Sequence, residues 1–91
     1  MNENLNYMER AVLEAIKEEY QKEFSTYFLT PMSIYSIPEL DETKANNILR
    51  ALFIRKYISF ENIDKQLSLK NKYLTLTEKA LDLFNSKDNK K

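Results

Sequence analysis

The chain has 91 residues, 14 basic and 14 acidic side chains, a formal net charge of zero, and 43% hydrophobic and 31% charged residues. That is the make-up of one soluble globular domain built on a single core. It contains no histidine, cysteine, tryptophan or glycine. The lack of cysteine excludes disulfides, thiolate nucleophiles, iron–sulfur clusters and cysteine-based zinc sites. The lack of histidine removes the commonest general base, the serine–histidine triads and the usual transition-metal ligands. Without glycine there is no phosphate-cradling loop of the dinucleotide or Walker type. These absences exclude most common enzyme classes, and the expectation is a binding module without catalytic residues, cofactor or metal. No stretch approaches the ~20 apolar residues of a membrane span. Met1-Asn2-Glu3-Asn4 lacks the basic flank and apolar run of a signal peptide, so a cytoplasmic protein is expected.

The zero net charge hides an asymmetry. Residues 1–42 carry nine acids against three bases, a net −6, and residues 43–91 carry eleven bases against five acids, a net +6. A basic half on a neutral protein can hold an anionic partner on one face, although charge runs are more often plain solvated surface.

Leu5, Met8, Val12, Ile16 and Tyr20 recur at three- and four-residue steps and predict an amphipathic helix over residues 4–23. The aromatic and β-branched run Phe24 to Leu29 predicts a short strand at 26–29. Thr30-Pro31 reads as a helix start, a hydroxyl cap followed by proline at the first helical position, and Pro38 ends that helix early. Asp41 caps the next start, from which Ala45, Ile48, Leu49, Leu52 and Phe53 form an apolar stripe reaching about Lys56. A short helix, a tight connection and a longer helix have helix-turn-helix spacing.

Tyr57-Ile58-Ser59-Phe60-Glu61 then alternates as a strand with Ile58 and Phe60 inward, and Tyr73-Leu74-Thr75-Leu76 alternates again with Leu74 and Leu76 inward. Tyr57 and Tyr73 fall on the opposite, outward parity. Leu67 and Leu69 are out of phase with Leu74 and Leu76, which requires a bulge or a turn near Asn71-Lys72. Thr77 caps a last helix carrying Ala80, Leu81 and Phe84, and residues 85–91 read as a frayed, disordered basic tail behind a single domain of residues 1–84.

The order helix, strand, helix, helix, strand, strand, helix is that of a winged helix-turn-helix, an α+β fold that is mostly α. Residues 40–52 (LDETKANNILRAL) resemble the turn and recognition helix of MarR- and PadR-type regulators. Arg55-Lys56-Tyr57-Ile58 resembles their Lys-Gly-Leu-Ile, and residues 73–80 (YLTLTEKA) resemble their Tyr-x-Leu-Thr-x-x-Gly ending of the wing. Lys56 and Ala80 stand where those families carry glycine. The resemblance covers about residues 30–84. It implies a recognition helix of about 41–56 in the major groove and a wing of 57–76 on the backbone of double-stranded DNA.

With Ala45, Leu49 and Leu52 inward, steps of ~100° put Thr43, Asn47, Arg50 and Ile54 outward, with Asn46 and Ala51 on the flanks. Asparagine can pair bidentately with adenine and arginine with guanine, so Thr43, Lys44, Asn46, Asn47 and Arg50 are the candidate readers. The resemblance adds Lys65, Lys70 and Lys72 in the wing as phosphate contacts. Arg55 and Lys56 suit either a phosphate or the negative end of their own helix. Glu39, Asp41 and Glu42 immediately before that helix count against DNA.

Glu14 and Glu18 are one turn apart but lack a third ligand, and a solvated face explains them better than a metal site. Aromatic residues could stack on single-stranded bases, yet Phe53, Phe60 and Phe84 lie on the core stripes. The expected function is that of a small dimeric transcriptional regulator, a repressor, since twofold symmetry doubles the few base pairs one helix can read. In the resembling families the first and last helices form the dimer surface. Two alternatives share the fold: a partition adaptor that binds a plasmid or phage centromere, and a protein-interaction module using Ile34, Ile54 and Tyr57.

Overall fold

The computed structural model describes residues 5–61 and 68–89. Along the chain lie α1 (Tyr7–Glu23), β1 (Tyr27–Leu29), a 3-10 helix (Met32–Ser36), α2 (Glu42–Ile54), β2 (Ile58–Phe60), β3 (Tyr73–Leu76) and α3 (Glu78–Asn89). These make a small α+β fold, mostly helical, with one antiparallel sheet in the order β1-β3-β2.

α1 starts at Tyr7, three residues later than the predicted residue 4, because Asn6 caps it. The Asn6 side chain accepts from the Glu9 N–H (2.8 Å) and the Glu9 carboxylate accepts from the Asn6 N–H (3.0 Å). This reciprocal box satisfies two donors that the first turn would otherwise leave unpaired. Val12, Leu13 and Ile16 are buried, whereas Leu5, Met8 and Tyr20 pack at the edge of the core. Phe24 closes the helix in the left-handed region (φ 56°), with its N–H donating to the Tyr20 carbonyl.

In the sheet, Leu74 on the central strand lies opposite Phe28 on one side and Phe60 on the other, and all three side chains are buried. Burial of a leucine of this kind contributes about 1.5–3 kcal/mol. Ile58 and Leu76 complete the inner face, against which the helices pack. Period-2 alternation turns Tyr27, Leu29, Ser59, Tyr73 and Thr75 outward. The rings of Tyr27 and Tyr73 stack there, on diagonal positions of β1 and β3, with centroids 5.0 Å apart. At the free edge of β1 the Ser25 hydroxyl accepts from the Tyr27 N–H (3.1 Å) and donates to the Tyr27 carbonyl (3.0 Å).

Thr30 does not cap a helix. It is buried, and both its N–H (2.9 Å) and its hydroxyl (2.7 Å) donate to the Lys72 carbonyl, so it prolongs the β1–β3 ladder. The element after Pro31 is only a 3-10 helix, followed by a turn in which Leu40 N–H donates to the Ile37 carbonyl. Pro38 occupies the second position of that turn. Glu39, at the third, takes φ 75°, a conformation that usually selects glycine or asparagine.

Asp41 caps α2 as expected, accepting from the Lys44 N–H at 2.8 Å. The helix ends at Ile54 rather than near Lys56, because Lys56 adopts φ 70°. Lys56 N–H then donates to the Phe53 carbonyl and Tyr57 N–H to the Leu52 carbonyl, the two bonds of a Schellman motif. This reversal explains why Tyr57 is not exposed as strand parity predicts: it is 1% accessible and lies in the core beside Ile58. Its ring is covered by the Lys79 ammonium (4.5 Å to the centroid), which also donates to the Arg55 carbonyl at 2.7 Å. A turn, not a bulge, precedes β3. Lys72 N–H donates to the Leu69 carbonyl and Asn71 sits at φ 65°.

Thr77 ties the end of β3 to the end of α2. Its hydroxyl donates to the Lys56 carbonyl (2.6 Å) and accepts from the Ala80 N–H (3.3 Å), which caps α3. Ala80 and Phe84 are buried. The helix continues through Asn89, into the stretch 85–91 that composition reads as a frayed tail; residues 90 and 91 lie outside the described residues.

The left-handed Lys56 gives a direct test. Its side chain is exposed, and a residue with a Cβ pays about 1 kcal/mol to hold this conformation. Lys56→Gly is expected to raise stability by about 1 kcal/mol or somewhat less, and the melting temperature by about 4–8 °C per kcal/mol, in thermal unfolding followed by circular dichroism.

Candidate nucleic-acid interface

The exposed face of α2 carries Thr43, Asn47 and Ile54, with Lys44 beside them and Arg50 partly exposed on the same row. These positions are three or four residues apart, so they form one stripe opposite the buried Ala45, Leu49 and Leu52.

Asn46 is not on that surface. It is 7% exposed and holds together three parts of the chain. Its side-chain oxygen accepts from the Tyr35 hydroxyl (2.8 Å) on the 3-10 helix and from the Leu69 N–H (3.2 Å) just before β3. Its amide nitrogen donates to the Ser68 hydroxyl at 3.5 Å. Ser68 in turn donates to the Glu42 carboxylate (3.0 Å) and accepts from the Lys70 N–H (3.3 Å). Its one donor and two acceptor sites are thereby all engaged. Asn46 thus acts on the neighbouring surface by position: it fixes the 68–72 segment against the first turns of α2 and has no side chain left for a base.

Two of the three acids before α2 are absorbed by this arrangement. Asp41 spends a carboxylate oxygen on the cap, and Glu42 takes the Ser68 hydrogen bond and faces the Lys70 ammonium at 4.0 Å. The Lys70 ammonium also lies 5.7 Å from the centre of the Tyr35 ring. Lys72 is exposed at the start of β3, and Lys65 lies outside the described residues. Arg55 pairs with the half-buried Glu9 at 3.3 Å, tying the end of α2 to the start of α1. Of the residues expected at the interface, Thr43, Lys44, Asn47 and Arg50 lie along one side of α2, and Lys70 and Lys72 lie on the turn that Asn46, Ser68 and Glu42 hold against its first turns.

Tyr35, Glu42 and Ser68 support the site and were not among its expected residues. The one sequence signal is the place of Asn46 at the margin of the apolar stripe, three residues before Leu49. Its partners are too far along the chain for any spacing rule to find. Among the described residues no three acidic side chains converge as metal ligands, and no helix is long and apolar enough to cross a membrane. Glu14 and Glu18 are both exposed on α1. No family model matches the chain, nor does any curated protein or solved structure.

Burial, reinforced by the charge of Glu42, pushes the Tyr35 hydroxyl up from its ordinary value of 10.0 to about 12. The folded state thus holds this proton more tightly than the unfolded chain does. The stability contributed is complete below pH 10 and is lost as pH rises toward about 12. Tyr35→Phe is expected to lower stability by about 0.5–1.5 kcal/mol below pH 10. The gap to the wild type should close as pH rises toward about 12, in urea unfolding at matched pH values. Asn46→Ala strands the Tyr35 hydroxyl and the Leu69 N–H together. It is expected to cost about 1–3 kcal/mol for each donor left without a partner or water.

Proposed function

We propose that this chain is a winged-helix module that binds double-stranded DNA, working as a small dimeric regulator of the repressor type. α2 is its recognition helix and β2 and β3 belong to the wing. The observation that carries this reading is the single row Thr43, Asn47 and Arg50 on the open face of α2, beside Lys44 and next to a turn bearing Lys70 and Lys72. Asparagine and arginine are the side chains whose paired donor and acceptor geometry matches purine edges, and lysines neutralise phosphates without reading sequence. The Asn46 clamp supports the reading, because it keeps the lysine-bearing turn at a fixed place relative to the helix N-terminus, where base contacts are made. The engagement of Asp41 and Glu42 by the cap, Ser68 and Lys70 reduces the repulsion that these acids would exert on a phosphate.

A dimer follows from the size of the row. One helix face of this length specifies too few base pairs for an operator, and a twofold axis doubles the contacts. The protein-interaction alternative loses two of its three residues, since Ile34 and Tyr57 are core residues at 0% and 1% accessibility and only Ile54, at 73%, stands out.

The test is fluorescence anisotropy with a labelled duplex pool over a salt series. Binding should fall with salt with a logarithmic slope of about −0.9 per neutralised phosphate. Arg50→Ala should lose about 1–3 kcal/mol together with selectivity, and Lys72→Ala should reduce the slope by about one without changing selectivity. A wild type that binds no duplex at low salt overturns the proposal.

A further inference from the structure

The outer face of the sheet is built differently from a plain solvated surface. Tyr27 and Tyr73 are stacked with an interplanar angle of 22°, yet each remains more than half exposed, at 56% and 52%. A cross-strand packing pair explains their contact with each other. It does not explain what lies beside them: an open concavity of about 310 Å³ lined by the two tyrosines, the Ser59 and Thr75 side of the sheet, Asn71 and Lys72. Its volume is at the small end of ligand sites, enough for one planar group and little more. Glu61 lies on its wall as well.

We infer that this face is a stacking platform for single-stranded nucleic acid. One base extends the Tyr27–Tyr73 stack into the concavity, and the neighbouring phosphate is met by Lys72. Every base offers a π-face, so such a platform binds strands with little regard to sequence. The polar lining suits the edge of a base. Ser59 and Thr75 belong to hydroxyl-bearing types that donate and accept, and Asn71 carries an amide. Among the described residues Lys72 is the one cation of the lining and Glu61 the one anion, so stacking carries the affinity and the Lys72 ammonium supplies the phosphate contact. The platform uses no side chain of α2; it shares Lys72 and Tyr73 with the proposed wing, so Tyr27, on β1, separates the two readings.

A short labelled oligothymidylate, titrated against the full chain at low salt, tests this. Binding is expected to quench tyrosine fluorescence, and Tyr73→Ala and Tyr27→Ala are each expected to weaken it about tenfold, the loss of one base–aromatic stack. Tyr73→Phe retains the ring and should keep the affinity, and Tyr27→Ala, on β1 outside the proposed wing, should leave duplex affinity unaltered. An oligouridylate of equal length distinguishes the sugars, and ring-dependent binding of either strand supports the platform. The proposal is overturned if the wild type binds neither strand, or if the alanine variants bind as tightly as the wild type. It is also overturned if sedimentation shows a dimer that both alanine substitutions dissociate, which assigns the face to a second copy. Strand binding without duplex binding overturns only the α2 reading.

Discussion

Much of this structure depends on one buried amide. Asn46 sits where the 3-10 helix, α2 and the segment leading into β3 meet, and its oxygen accepts from two of the three. A leucine there would add apolar burial but would leave the Tyr35 hydroxyl and the Leu69 N–H without an acceptor. That loss outweighs the gain, because an unmet buried donor costs more than a net hydrogen bond contributes. The geometry of the amide also has a directional consequence that apolar packing lacks. It accepts only from donors placed along its lone pairs, so the order of the three segments and their relative height along α2 are fixed together.

A second constraint is the absence of glycine. Phe24, Glu39, Lys56 and Asn71 all have positive φ, and only asparagine tolerates that region readily. Each marks an abrupt change of direction: the end of α1, the approach to α2, the end of α2 and the entry to β3. The Lys56 case shows how the conformation is held. Its two Schellman bonds, the Thr77 hydroxyl on its carbonyl and the burial of Tyr57 immediately after it leave the backbone no alternative. The family resemblance placed a glycine at this position, and the backbone has the shape glycine would give it. The shape follows from the surrounding bonds, with a side chain accommodated because it points to solvent.

The sequence is informative wherever periodicity and local capping decide the outcome. The stripes of α1 and α2, the Asp41 and Thr77 caps and the inward residues Ile58, Phe60, Leu74 and Leu76 are all read from spacing alone, since each depends on neighbours within a turn or along one strand. The failures have other causes. Thr30 looks like a cap but is claimed by Lys72, 42 residues on. Asn46 looks like a base reader but is claimed by Tyr35, Ser68 and Leu69. Tyr57 obeys strand parity on paper, and a left-handed residue before it reverses the parity. For Thr30 and Asn46 a contact distant in sequence overrides a local preference, whereas for Tyr57 the override is the left-handed turn at the end of α2. For the candidate interface, the exposure of positions 43, 44, 47 and 72 and the outward direction of the partly exposed Arg50 were readable, and the support beneath them was not.

The serine beside β1 has a consequence for how this protein behaves in company. A three-residue strand at the edge of a sheet presents its outward N–H and carbonyl as a template for another chain, the usual route to strand exchange and fibrillar growth. Ser25 occupies both groups of Tyr27 with a single hydroxyl, so an incoming strand would have to break two bonds before it could pair with Tyr27. One small side chain, two residues before the first residue of β1, thus makes that end of the sheet edge a poorer template for another chain.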